Sequence, residues 1–137
     1  MKDKVKKKRI SVASAKNKGR EFQKWIGNRF SEITGIPFGK DCPIASREMG
    51  GSGTDLRLVG EGTLKVIPYS IEAKRCENWA VHSWIDQAKA NLLPDTDWLL
   101  FAKRNHSKPI VIMDAETFFK LFEQNHICIC STDKDKK

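Results

Sequence analysis

Residues 52–59, SGTDLRLV, and residues 69–75, YSIEAKR, decide how this chain is read. Both have the alternating or apolar character of a β-strand. Yet Asp55 stands at the mouth of the first, and Glu72 and Lys74 interrupt the apolar run of the second. Side chains at i and i+2 of a strand leave the same face. Glu72 and Lys74 therefore project together, and Ala73 is turned the other way.

EGT (61–63) reads as a turn between them, which makes LKVIPYSIEAK (64–74) one strand in a hairpin with TDLRLV (54–59). Pro68 inside that strand points to an edge position or a bulge. In such a hairpin Asp55 faces Glu72. Two carboxylates brought together raise each other's pKa, and a hard divalent cation removes that cost because it wants oxygen ligands. Lys74 beside a cation can orient an attacking water and stabilise charge developing on a phosphate. Phosphodiester hydrolysis requires that assembly. A plainer reading stays open at this point: a Glu-x-Lys pair is often a solvated ion pair, and Asp before a strand is a common turn residue.

Upstream, KGREFQKWIGNRFSEITG (18–35) is an amphipathic helix. Phe22, Trp25, Ile26, Phe30 and Ile33 form one stripe, and Gly35 followed by Pro37 is the stop. Glu21 lies one turn before Trp25, where it could reach the acidic cluster as an outer ligand or water positioner. Residues 35–53 are a Gly/Pro/Ser-rich loop with a short strand near Ile44 to Arg47. Downstream, NWAVHSWIDQAKANLL (78–93) is a second helix whose inner face is Val81, Trp84, Ile85, Ala88 and Leu92. DWLLFAK (97–103) and PIVIMD (109–114) are apolar strands of the kind covered on both faces. AETFFKLFEQN (115–125) closes the domain as a helix, with Phe118, Phe119, Leu121 and Phe122 as a dimer face or a core-sandwiched surface. The order α–β–β–α–β–β–α describes an α/β domain, one sheet flanked by helices.

Of the formal net charge of +8, all lies near the N-terminus: residues 1–20 hold nine Lys/Arg against Asp3 alone. The remaining 16 basic and 16 acidic groups balance. Residues 1–16 are therefore expected to be a flexible basic arm, with Lys6, Lys7, Lys8 and Arg9 drawn to phosphates. Residues 17–127 form the folded domain, and 128–137 a polar tail. With no apolar signal region and no run approaching the roughly 20 residues of a membrane span, a cytoplasmic protein with no membrane partner is expected. Its four cysteines are then reduced thiols. His126-x-Cys128-x-Cys130 spaces its ligands too closely for the usual zinc pattern.

The joint order of these features resembles the PD-(D/E)xK nuclease superfamily, and within it the small archaeal-type Holliday-junction resolvases. The resemblance spans roughly residues 17–114. It rests on KGREF with Glu21, the REMGGSGTD loop (47–55) with Arg47, Ser52 and Asp55, the Glu72-x-Lys74 strand, and Gln87 in WIDQAKANL (84–92). Thr54 stands where the family usually has Pro. The resemblance implies a restriction-endonuclease-like mixed central sheet flanked by helices. It implies Asp55, Glu72 and the Ala73 carbonyl as ligands of Mg²⁺, with Mn²⁺ able to substitute and Glu21 a further candidate ligand. Lys74 would be the catalytic lysine, Glu21 the acidic group of the first helix, and Gln87 a support for the site. Arg47 and Ser52 would hold the scissile phosphate, Arg75 would touch DNA backbone, and a homodimer would act on branched DNA with two symmetric nicks. A nuclease of the same superfamily acting on flaps, ends or plain duplex, and a non-catalytic nucleic-acid-binding module, are the alternatives.

Overall fold

The computed structural model describes residues 11–48 and 51–134. Lys6, Lys7, Lys8 and Arg9 lie outside them. Four helices and five strands run in the order α1 (Val12–Thr34), β1 (Ile44–Ser46), β2 (Leu56–Leu58), α2 (Glu61–Val66), β3 (Tyr69–Arg75), α3 (Val81–Ala90), β4 (Asp97–Lys103), β5 (Ile110–Ile112) and α4 (Ala115–Lys134). The chain is a mixed α/β protein.

β3 and β4 pair in parallel, with Glu72 opposite Leu100, and β5 adds antiparallel to β4. Parallel neighbours need a crossover, and α3 provides it. β1 and β2 form a separate antiparallel pair. The two ladders meet at one backbone hydrogen bond, from the Asp55 N–H to the Ile71 carbonyl, 3.1 Å. The acidic loop is thereby moored to the free side of β3.

The expected hairpin is replaced by a helical connection. EGTLKV forms α2, and only YSIEAKR is strand. Gly60, at φ 97°, turns the chain out of β2, a conformation glycine adopts without a Cβ clash. Thr63 and Ile67 are buried and Leu64 half-buried, a spacing that fits one helical face. Pro68 then disfavours helical geometry at Ile67 and ends the turn. Pro68 thus precedes β3 and does not interrupt it.

Helix α1 starts earlier than its apolar stripe suggests. Ser11 caps it, its Oγ accepting the Ser14 N–H at 3.2 Å, so residues 12–16 of the expected arm are helical. Gly35 ends the helix in the left-handed conformation at φ 76°, its N–H donating to the Ser31 carbonyl. Phe22 and Ile26 are buried against Ile71, Ile44, Leu56, Leu58 and Ile67. Trp25 and Ile33 of the expected stripe are exposed; Trp25 is turned about 100° round the helix from the buried Ile26. On the opposite face of the sheet Trp84 and Ala88 of α3 pack on Trp98, Leu100 and Ala102, whereas Leu92 is exposed.

β5 is an exposed edge: Ile110 and Val111 are both largely open to solvent. The expectation of two faces covered therefore holds for β4 alone. No Gly or Pro follows Pro109, and α4 continues through the expected polar tail to Lys134. Phe118, Phe119, Leu121 and Phe122 are exposed on it, which rules out the core-sandwiched alternative within the single chain. Among the described residues no helix is long and apolar enough to cross a membrane.

A Cβ at Gly27 of α1 would collide with the ring edge of Phe38. Gly27→Ala is expected to destabilise the fold by about 1–3 kcal/mol through overpacking, although alanine in a helix ordinarily gains up to about 1 kcal/mol over glycine. Urea denaturation of the two proteins reads the sign directly.

Candidate active site

Three elements converge at the C-terminal half of β3. Because the strand alternates, Ile71 and Ala73 face the α1 core and Glu72 and Lys74 face α3. Glu72 is fully buried, at 0% exposure. Helix α3 and its C-cap supply the polar partners. Asn91 donates its Nδ2 to Glu72 Oε1 at 2.9 Å, and Lys74 Nζ donates to Gln87 Oε1 at 2.6 Å. Gln87 and Asn91 are four residues apart, so one helical face serves both members of the strand pair.

Asp55 reaches the cluster from the loop before β2 and is 5% exposed. Its Oδ2 accepts the Ala73 N–H at 2.8 Å, and its Oδ1 pairs with Arg47 at 3.2 Å. Arg47 also donates from Nη1 to the Gly53 carbonyl at 2.7 Å, which ties the two ends of the acidic loop together. In a strand a residue's carbonyl leaves by the same edge as its N–H. Ala73 therefore turns its carbonyl, as well as its N–H, toward Asp55.

Glu72 Oε2 is buried and, among the described residues, has no hydrogen-bond partner. Burial first, and then the negative charge of Asp55, push the Glu72 carboxyl up to about 7, against the opposing pull of the Asn91 hydrogen bond and of Lys74. Asp55 is near enough to accept a hydrogen bond from Glu72 when that group carries a proton. A proton between the two carboxylates relieves their repulsion, and a cation there would do the same. When both are ionised, an orphaned oxygen in a low-dielectric site costs several kcal/mol.

The residues present fit a divalent cation. Asp55 and Glu72 each retain unused lone pairs, and the orphaned Oε2 is a ligand oxygen already stripped of water. Among the described residues no group of three or more His, Cys, Asp or Glu side chains converges. Binding would therefore use two carboxylates with backbone and water oxygens, the mode typical of Mg²⁺.

Asp55, Glu72, Ala73, Lys74, Gln87 and Arg47 are thus brought together as the sequence implies. Glu21 is not. It is exposed on α1, turned about 100° from the buried Phe22 by the helical repeat. Among the described residues nothing bonds it to the cluster. Ser52 is exposed on the loop, and Arg75 donates to Asn105 Oδ1 at 2.8 Å, away from the acids. Asn91 was missed by sequence reasoning. Its signal is the four-residue spacing from Gln87, masked by Leu92, which reads as a continuation of the inner face. Comparison of the chain with family models, curated proteins and solved structures returned no match.

In metal-free protein the raised Glu72 pKa sets a sign. The folded state holds a proton that the unfolded carboxyl, at about 4.5, has lost, so stability is greatest below that value and falls as pH rises toward 7. In EDTA, Glu72→Gln is expected to flatten this decline and to melt above wild type at pH 8, with the two close at pH 4.5. Melting curves across that range measure it.

Proposed function

We propose that this protein is a Mg²⁺-dependent endodeoxyribonuclease, and specifically a resolvase of four-way DNA junctions. The observation that carries the reading is the fully buried Glu72, with one oxygen unpartnered beside Asp55 and Lys74 two residues along the strand. A purely structural carboxylate in that position would be stabilised by replacement with an apolar residue. A paired, desolvated acid in reach of a lysine is instead the pattern of a site with pKa values tuned for chemistry.

Bound between Asp55 and Glu72, Mg²⁺ (or Mn²⁺) would supply Lewis acidity toward a phosphate oxygen and a water of lowered pKa. The chain's own groups do the rest. Glu72 would have to be ionised to hold the cation, and Asn91 fixes its Oε1 while Oε2 is left unpartnered among the described residues. Arg47 fixes Asp55 and shares its charge. Gln87 accepts one proton of the Lys74 ammonium, leaving its others to meet the attacking water or the phosphate. Ser52 and Arg47 lie on the loop that would meet the scissile strand.

The parallel β3–β4 pair, with α1 and α3 on its two faces, supports a restriction-endonuclease-like architecture. A second copy is part of the proposal, because two nicks placed symmetrically across a junction require two sites. The exposed Phe118, Phe119 and Phe122 of α4 and the open edge of β5 offer apolar surface for it. Cytoplasmic action on DNA follows from the same reading, with Lys6, Lys7, Lys8 and Arg9 contributing phosphate contacts without base readout.

The test is cleavage of a synthetic four-way junction beside matched flap and linear duplex in Mg²⁺. Wild type should place paired nicks on the junction and leave the other substrates intact. Glu72→Ala and Lys74→Met should each lose at least about 100-fold in rate, the scale of removing a transition-state charge partner. Cutting of all three substrates would keep the metal site and discard the junction assignment. DNA binding without cutting, in Mg²⁺ and Mn²⁺ alike, would leave only a binding module.

A further inference from the structure

On the α1 side of β3, one residue beyond Lys74, two cations from different elements meet at a single neutral oxygen. Lys18 Nζ of α1 donates to Asn105 Oδ1 at 3.0 Å, and Arg75 Nη2 of β3 donates to the same atom at 2.8 Å. Like charges brought one oxygen apart repel unless something compensates. Among the described residues, neither cation bonds a carboxylate. Glu77 lies beside them, but its Oε1 accepts the Asn105 backbone N–H at 2.6 Å, which braces the loop. All four residues line one cavity of about 360 Å³, with Ala15, Cys76 and Asn78.

Lys18, Arg75 and Asn105 are all half-buried. Their chemistry is that of an anion clasp. Arginine offers a planar fork of donors, lysine a compact ammonium, and both are matched to phosphate oxygens. A neutral amide oxygen holds the two in register without cancelling their charge. We propose that Lys18 and Arg75, held by Asn105, bind a backbone phosphate of the DNA strand next to the one being cut. This rests on the nuclease reading above and adds to it a positioning subsite.

Its placement suits that role. Arg75 is three residues from Glu72, about 10 Å along an extended strand and on its opposite face, so a DNA strand reaching both would cross the C-terminal end of β3. Phosphates on one DNA strand succeed each other every 3.4 Å or so of helix axis, so the clasp would reach a neighbour a few nucleotides from the acids. Because it sits at the end of the strand that carries Glu72 and Lys74, a bound phosphate there would fix the register of the scissile bond. Arg75 and Lys18 thus act on where the strand lies and not on the chemistry itself.

Two variants separate the clasp from the fold. Asn105→Asp sets a carboxylate between the cations, adding ion pairs while cancelling the field. Arg75→Gln removes one donor fork. Binding to a four-way junction is measured in EDTA from 50 to 200 mM salt, with thermal melting of each variant and Mg²⁺-dependent cleavage by wild type alongside. The expected result is that both variants melt no lower than a few degrees below wild type, bind roughly tenfold more weakly at low salt, and lose about one unit of slope in log affinity against log salt. Variants that keep the wild-type slope, while wild type still cuts, would overturn the clasp and leave the nuclease reading standing. Wild type that neither binds nor cuts would overturn both.

Discussion

Two carboxylates share a site from which water is excluded, and the surrounding structure is arranged around that fact. Glu72 occupies a position on the α3 face of β3 that, opposite Leu100, would ordinarily hold an apolar side chain. One of its oxygens is satisfied by Asn91 and the other by nothing. Asp55, the next acid, accepts one contact on each oxygen, from the Ala73 N–H and from Arg47. At low pH a proton relieves the pair, since burial and the charge of Asp55 raise the Glu72 carboxyl to about 7. At higher pH the ionised pair carries a desolvation cost that a divalent cation would offset. The proposed metal-assisted chemistry draws on that cost.

The fold supplies the rigidity this needs. The parallel β3–β4 pair forces a crossover, and α3 returns across the sheet with Gln87 and Asn91 aimed at Lys74 and Glu72. The end of that crossover is pinned in turn: Ser70 Oγ accepts the Leu93 N–H at 2.9 Å and bonds Thr96 at 2.6 Å. On the other side, the Asp55-to-Ile71 backbone bond and the Arg47 clamp on Gly53 hold the acidic loop against β3. Positioning groups on a strand and a helix gives finer control of geometry than a loop could.

Much of this was legible from residue order alone, for an identifiable reason. The i, i+2 rule places Glu72 and Lys74 on one face whatever the strand pairs with, and Gly35 ends α1 as its backbone freedom predicts. The connection was harder. LKVI has the β-branched look of a strand, yet it forms α2 with Ile67 buried in the α1 core and Leu64 packed against it. Even so, Asp55 arrives beside Glu72, because a loop residue moored by one backbone bond needs no hairpin to get there. Glu21 shows the limit of counting along a helix. One position separates it from the buried Phe22, and that position turns it outward. The Lys18–Asn105–Arg75 meeting was invisible for a different cause: its members are 87 and 30 residues apart in sequence, and no local pattern announces a contact of that range.

The proposed function depends on a cation between Asp55 and Glu72. The direct measurement is a calorimetric titration of Mn²⁺ into wild type and into Glu72→Gln at pH 6.5, repeated in two buffers of different ionisation heat. Wild type should bind saturably with release of a substantial fraction of a proton, because Glu72, with its pKa raised to about 7, must ionise to become a ligand. Glu72→Gln should lose both the affinity and the proton release. Binding that Glu72→Gln leaves unchanged, or no binding by wild type at all, would contradict the proposal.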